Sequence, residues 1–165
     1  MLESIPSETS SLRDAILRIY SFLLDQGFKP TFYNDSYGYL GRGFSLGLEN
    51  SNRNLHILFV KETEIPQIEV LIGTLLAPFE NPDKRGHLAV SKGWFRLASL
   101  IEFLTGKKTY SHSEYEKLDP VRFQAIMSEQ LKPLLPTIFR RFENEQVALS
   151  WMGEFFEFIT KQHLP

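Results

Sequence analysis

The sequence predicts an α+β fold: an N-terminal helix, an antiparallel meander of about four strands, and a helical C-terminal half packed on one face of the sheet. Three observations predict it. Apolar residues recur at helical spacing up to Gly27, alternate with period two between residues 28 and 77, and return to helical spacing from Trp94 onward. The strand-like runs follow one another through short links, which favours antiparallel neighbours over crossover connections. The order is helix, then strands, then helices, rather than a regular alternation of the two.

Residues 1–9 read as a flexible tail and residues 10–165 as one α+β domain. The first helix should start at Ser10 or Ser11, either of which can cap, with Asp14 in the first turn. Leu12, Ile16, Ile19 and Leu23 form its apolar stripe, and Gly27 is a natural residue just past its end. Phe28 to Tyr33 reads as a short strand, with Pro30 assigning it to an edge. Residues 39–49 and 54–61 read as two strands joined through the turn-forming "NSNR". A fourth strand covers about Gln67 to Leu76, and residues 87–90 could add a short piece. Residues 94–105 read as a helix closed by Gly106. Asp119 followed by Pro120 is the strongest helix start in the chain. Pro133 and Pro136 require a kink or restart between 132 and 137, because each lacks a donor and clashes with an upstream carbonyl. A last helix covers about 146–162.

Composition narrows the function classes. The 165 residues suit one domain, and 42% hydrophobic content with 14 Phe supplies a real core. Acids number 20 against 18 bases, for a net charge of −2. That balance argues against duplex binding, which needs a basic surface to neutralise several phosphates. The absence of cysteine removes disulfides, thiol nucleophiles and thiolate metal sites. The N-terminal residues lack a basic region followed by an apolar run, and no stretch approaches the roughly 20 apolar residues of a membrane span. The expectation is a soluble cytoplasmic protein with no membrane association, metal or cofactor.

The stretch "YGYLGRGFSLGLEN", Tyr37 to Asn50, looks at first like a phosphate-binding loop. It lacks the lysine of a P-loop, and Gly41, Gly43 and Gly47 have the wrong spacing for a dinucleotide fingerprint, with a strand rather than a helix to follow. Ser45 does not lie in a nucleophile elbow. Read with period two, Leu40, Arg42, Phe44, Leu46 and Leu48 share one face, while Gly41, Gly43, Ser45, Gly47 and Glu49 share the other. Strand glycines indicate that something approaches the backbone closely. Two readings follow: a neighbouring aromatic side chain or helix packs into the bare strip, or the strip is a groove for a ligand or a partner's chain.

Candidate ligand-binding residues are Arg42, His56 and Glu69 on the strands, and Lys84, Arg85, Trp94 and Arg96 in the basic run that leads into the helix read from Trp94. Basic groups near a helix start can hold an anion, and an indole can stack on a ring. The bland alternative is a solvated loop and a structural histidine. His112, Glu114 and Glu116 read as a solvated loop, and no ligand set for a metal emerges. In "WMGEFFEFITKQ", Trp151, Phe155, Phe156 and Phe158 exceed what a small sheet can cover, so they are candidates for a partner interface as well as for core.

The non-catalytic reading, a protein-binding or regulatory module, rests on the lack of a nucleophile–base constellation, the mixed charge and this aromatic surplus. The partner would be another protein, with a homodimer included in that class, and nucleic acid ranks last. The architecture resembles small bacterial toxin-immunity proteins. The helix ending "LLDQGF" followed by three strands is similar to type III secretion chaperones, while the helical second half with "LKPLLP" departs from them. Both are likenesses of fold, and no motif carries either. The alternative is a small anionic-ligand-binding protein or acid/base enzyme that uses the basic run 84–96 and the sheet carboxylates.

Overall fold

The computed structural model describes residues 8–37, 43–62, 67–80, 93–107 and 117–162. Its first helix, α1 (Glu8–Ile19), begins ahead of the serines that the sequence offers as caps. It does not run on to Gly27. Tyr20 leaves helical geometry (φ −99°, ψ 23°), and a second short helix, α2 (Ser21–Asp25), follows. At this break the Tyr20 ring enters the core, 4.9 Å from Phe59. Gly27 ends the segment at φ 98°, and the Phe28 N–H returns to the Leu23 carbonyl at 3.0 Å. This is the closure that a left-handed glycine permits.

Among the described residues five strands, one more than expected, form a single antiparallel meander in the order β1–β2–β3–β4–β5. They are β1 (Lys29–Tyr37), β2 (Gly43–Asn50), β3 (Leu55–Lys61), β4 (Ile68–Gly73) and β5 (Trp94–Arg96). As Pro30 indicates, β1 is an edge strand, and its register against β2 shifts between Pro30 and Phe32 and again between Asn34 and Tyr37. The β2–β3 link is a 3₁₀ turn, Ser51–Arg53, closed by Asn54 in the left-handed region at φ 57°. The extra strand is β5, in a stretch whose periodicity reads as the start of a helix. Trp94 and Phe95 lie on opposite faces of the sheet, in its two separate core clusters, as extended geometry requires. The β4 strand stops at Gly73, short of Leu76, because Thr74 to Ala77 form a turn closed by the Ala77 N–H on the Thr74 carbonyl at 3.0 Å. The short strand expected at 87–90 lies outside the described residues.

The helix after β5 is α3 (Leu97–Thr105), ended by Gly106 at φ 71°. Next comes α4 (Pro120–Leu131), capped by Asp119, whose Oδ2 accepts the Arg122 N–H at 3.0 Å. A 3₁₀ turn (Lys132–Leu134) then leads into α5 (Leu135–Arg141), with Pro133 and Pro136 both in first-turn positions. The final helix divides at Trp151 into α6 (Glu145–Ser150) and α7 (Met152–Gln162). Asn144 caps α6 by accepting the Val147 N–H.

The sheet has two differently built faces. On the front, Phe44, Leu46, Leu48, Leu55, Ile57, Phe59, Ile68, Val70, Ile72 and Phe95 merge with buried residues of the helices into one large core. On the reverse, Leu58, Val60, Leu71 and Trp94 form a smaller cluster with Ala77, Phe32 and Phe79. One polar chain crosses the front core. Tyr20 donates its hydroxyl to Gln124 Oε1 at 2.7 Å, and Gln124 Nε2 donates to the Ile68 carbonyl at 2.8 Å. Burial holds the Tyr20 phenol in its neutral form and pushes its pKa well above the ordinary tyrosine range.

Candidate functional site

Four of the predicted ligand-binding residues, His56, Glu69, Trp94 and Arg96, come together on the reverse face. Strand register places them there: Gly73 of β4 is paired with both His56 and Trp94, and Arg96 is opposite Leu71. Arg42, Lys84 and Arg85 lie outside the described residues, as do the 81–92 segment and His112, Glu114 and Glu116.

The four are engaged with their own chain. His56 is buried, with Nδ1 2.8 Å from the Ala77 carbonyl and Nε2 2.8 Å from Glu49 Oε1. Glu69 and Arg96 form an ion pair at 2.6 Å. Trp94 donates its indole N–H to the Pro78 carbonyl at 2.8 Å. All four groups therefore reach either the neighbouring strand or the Thr74–Glu80 strap that folds back over this face.

The strap also answers the question of the glycine strip. A Cβ placed on Gly47 would lie 2.7 Å from the Phe79 ring. That ring stacks on His56 at 4.1 Å and on Phe32 at 5.5 Å. At Gly47 the bare strip is thus filled by an aromatic side chain of the same molecule. Gly73 is equally confined, since a Cβ there would come within 2.5 Å of the Gly93 carbonyl oxygen.

The aromatic residues of the last helices divide. Trp151 and Phe155 are 4% and 0% exposed and belong to the core, the first of the two readings that the sequence left open for them. Trp151 stacks on Phe95 at 4.9 Å, and Phe155 meets the same ring edge-on at 5.3 Å. The Phe95 ring claims them because β5 is a strand that points it into the helices. Phe158 is half-buried against Phe103, and Phe156 alone of the four is exposed, at 36%.

The most exposed large apolar side chains of the described residues are elsewhere. Leu76 is 75% exposed and Leu149 is 60% exposed. Leu76 stands on the Thr74–Ala77 turn. That turn is fixed by the Ala77–His56 bond, by the Leu76 N–H on Thr74 Oγ1 at 3.3 Å, and by Thr74 Oγ1 donating to Glu145 Oε2 at 2.9 Å. Glu145 is in α6, one helical turn before Leu149 and on the same side of that helix. The other Glu145 oxygen accepts from Asn54 Nδ2 at 3.3 Å, and Asn54 also donates to the Phe142 carbonyl at 3.1 Å. One carboxylate therefore ties together the segments that display the two leucines.

On the opposite side of α6, an open cleft of about 390 Å³ separates it from α5. Thr137, Arg140, Arg141, Val147, Ser150 and Trp151 line it. The Arg141 guanidinium lies 5.4 Å from the Trp151 ring and 5.6 Å from Phe103.

Sequence reasoning missed Leu76, Leu149 and the arginine cleft. Leu76 sits in an apolar run that reads as strand. The available signal was that Leu149 falls off the stripe of Val147, Trp151 and Phe155. Among the described residues no cluster of three or more His, Asp or Glu could hold a metal. Among the same residues no helix is long and apolar enough to cross a membrane. Comparison with family models, curated proteins and solved structures finds no match for the chain.

Proposed function

We propose that this protein is a non-catalytic binding module of the cytoplasm, which recognises a protein partner through the surface built on the Thr74–Ala77 turn and α6. The observation that carries the reading is the placement of Leu76 and Leu149. Among the described residues they are the two most exposed large apolar side chains, and the Thr74–Glu145 hydrogen bond joins the segments that bear them. Burying a leucine fully is worth about 1.5–3 kcal/mol, so each is a substantial anchor once covered. The turn is already held by hydrogen bonds, so little chain entropy is lost when a partner docks. Further support comes from the reverse sheet face. The groups on which an acid/base or anion site would have relied there are engaged by Glu49, Ala77, Pro78 and one another.

A photo-crosslinking amino acid placed at position 76, at 149 and, as a control, at Leu24 on α2 tests the proposal. The expected result is one protein, or a second copy of the chain, captured from both 76 and 149 and absent from the Leu24 variant. Capture of nothing, or of the same mixture from all three positions, would overturn it.

A further inference from the structure

The partner's chemistry can be narrowed from the cleft between α5 and α6, an inference that rests on the protein-binding reading above. Two guanidiniums, Arg140 and Arg141, share that cleft with the hydroxyls of Thr137 and Ser150. Neither arginine has a carboxylate within ion-pair distance among the described residues. The nearby acids do not serve them: both oxygens of Glu145 are engaged by Asn54 and Thr74. Glu143 is exposed and reaches Arg140 only through its backbone N–H.

A role in ending α5 does not occupy the guanidiniums either. The Ile138 and Arg140 carbonyls accept backbone N–H groups from Phe142 and Glu143, and the Arg141 carbonyl accepts the Trp151 indole N–H at 2.9 Å. Arg141 is instead laid against two aromatic rings, and Arg140 is held loosely by Thr137 Oγ1 at 3.3 Å. A guanidinium fixed on an aromatic face keeps its donor edge available and has already lost much of its rotamer freedom.

We propose that this cleft binds an acidic segment of the protein partner, whose carboxylates pair with Arg140 and Arg141 while its apolar residues cover Leu149 across the α6 ridge. Charge complementarity selects the segment. Guanidiniums that share one cleft suit a carboxylate, which accepts bidentate hydrogen bonds. Leu149, exposed on the far side of the same helix, favours a polypeptide that crosses the ridge over a bare anion.

The test is a titration of the isotopically labelled full chain with an end-capped peptide of alternating Glu and Leu, followed through the Arg Nε–H and Trp indole N–H resonances. Saturable shifts of Arg140, Arg141 and Trp151 are expected. They should be absent when Gln replaces Glu in the peptide. Arg140→Glu should weaken binding roughly tenfold or more, while Arg122→Glu on α4 leaves it unchanged. Arg140 is exposed, so this variant keeps the fold, which circular dichroism checks. An equal response to the Gln peptide, indifference to Arg140→Glu, or equal occupancy by inorganic phosphate or anionic phospholipid vesicles would overturn the assignment. Crosslinking from positions 76 and 149 without a response to the Glu peptide would sink this inference alone. A response without crosslinking would sink the broader reading and leave the carboxylate preference standing.

Discussion

The two faces of the sheet are held by different means. The front face is a continuous apolar layer. Phe95 alone touches Phe142, Trp151 and Phe155 at ring separations of 4.9–5.5 Å. Its cohesion comes from area and close packing. The reverse face has fewer apolar residues, and a strap closes over it by means of a missing Cβ at Gly47, a doubly bonded imidazole and an indole N–H. A layer built on area tolerates exchange of similar volumes. A layer built on gaps and single bonds has a few positions where one atom is too many.

The largest effect should come from breaking the front. Phe95→Ala removes the ring on which three aromatic side chains converge, and about 3–5 kcal/mol of stability should go with it, read by chemical denaturation. Gly47→Ala tests the reverse face by adding one carbon. Its Cβ meets the Phe79 ring at 2.7 Å, so a loss of about 2–3 kcal/mol is expected. Combined with Phe79→Ala, the two changes should cost clearly less than their sum, because the second removes what the first collides with. Additive losses would mean that the strap does not rest on the glycine.

This contrast also marks how far the sequence can be read. The alternation of Phe44, Leu46 and Leu48 against Ser45, Gly47 and Glu49 is a local pattern, and it identified both faces of β2. The Asp119–Pro120 start and the restart at Pro133 and Pro136 were legible for the same reason, since each depends on a few adjacent residues. That Phe79 fills the strip over Gly47 depends on the path of the strap, which no local period encodes. Trp94 and Phe95 fit a helical stripe as well as a three-residue strand, and pairing with β4 decided between them. Of the reverse-face cluster the sequence offered His56, Glu69, Trp94 and Arg96 as separate candidates, and strand register brought them together. The bonds of His56 to Ala77 and of Trp94 to Pro78 come from turn geometry that the sequence does not display. Trp151 and Phe155 read as surplus only because the fifth strand, with Phe95, was not foreseen.

A third and smaller perturbation probes the polar chain in the front core. Tyr20→Phe leaves Gln124 Oε1 without its donor and should cost about 1–2 kcal/mol at neutral pH. It should also flatten the alkaline limb of the stability curve. The native phenol keeps its proton while the unfolded tyrosine releases it from pH 10.0 upward, so the unfolded state binds fewer protons there. Stability of the natural chain must therefore fall as pH rises past that value, and the Phe variant should lack this component of the fall. The smallest effect is expected for Glu49→Gln. The carboxylate is part-exposed, and the amide oxygen can still accept from His56 Nε2. A loss under about 1 kcal/mol, shrinking further with added salt, is the outcome that unfolding curves should show.

The rims of the sheet have a consequence of their own. One rim carries Pro30 and two register slips, and the other is a strand of only three residues. A foreign strand needs a long run of evenly spaced donors and acceptors to add to a sheet, and neither rim supplies one. Concentrated solutions should therefore resist fibril growth by strand addition.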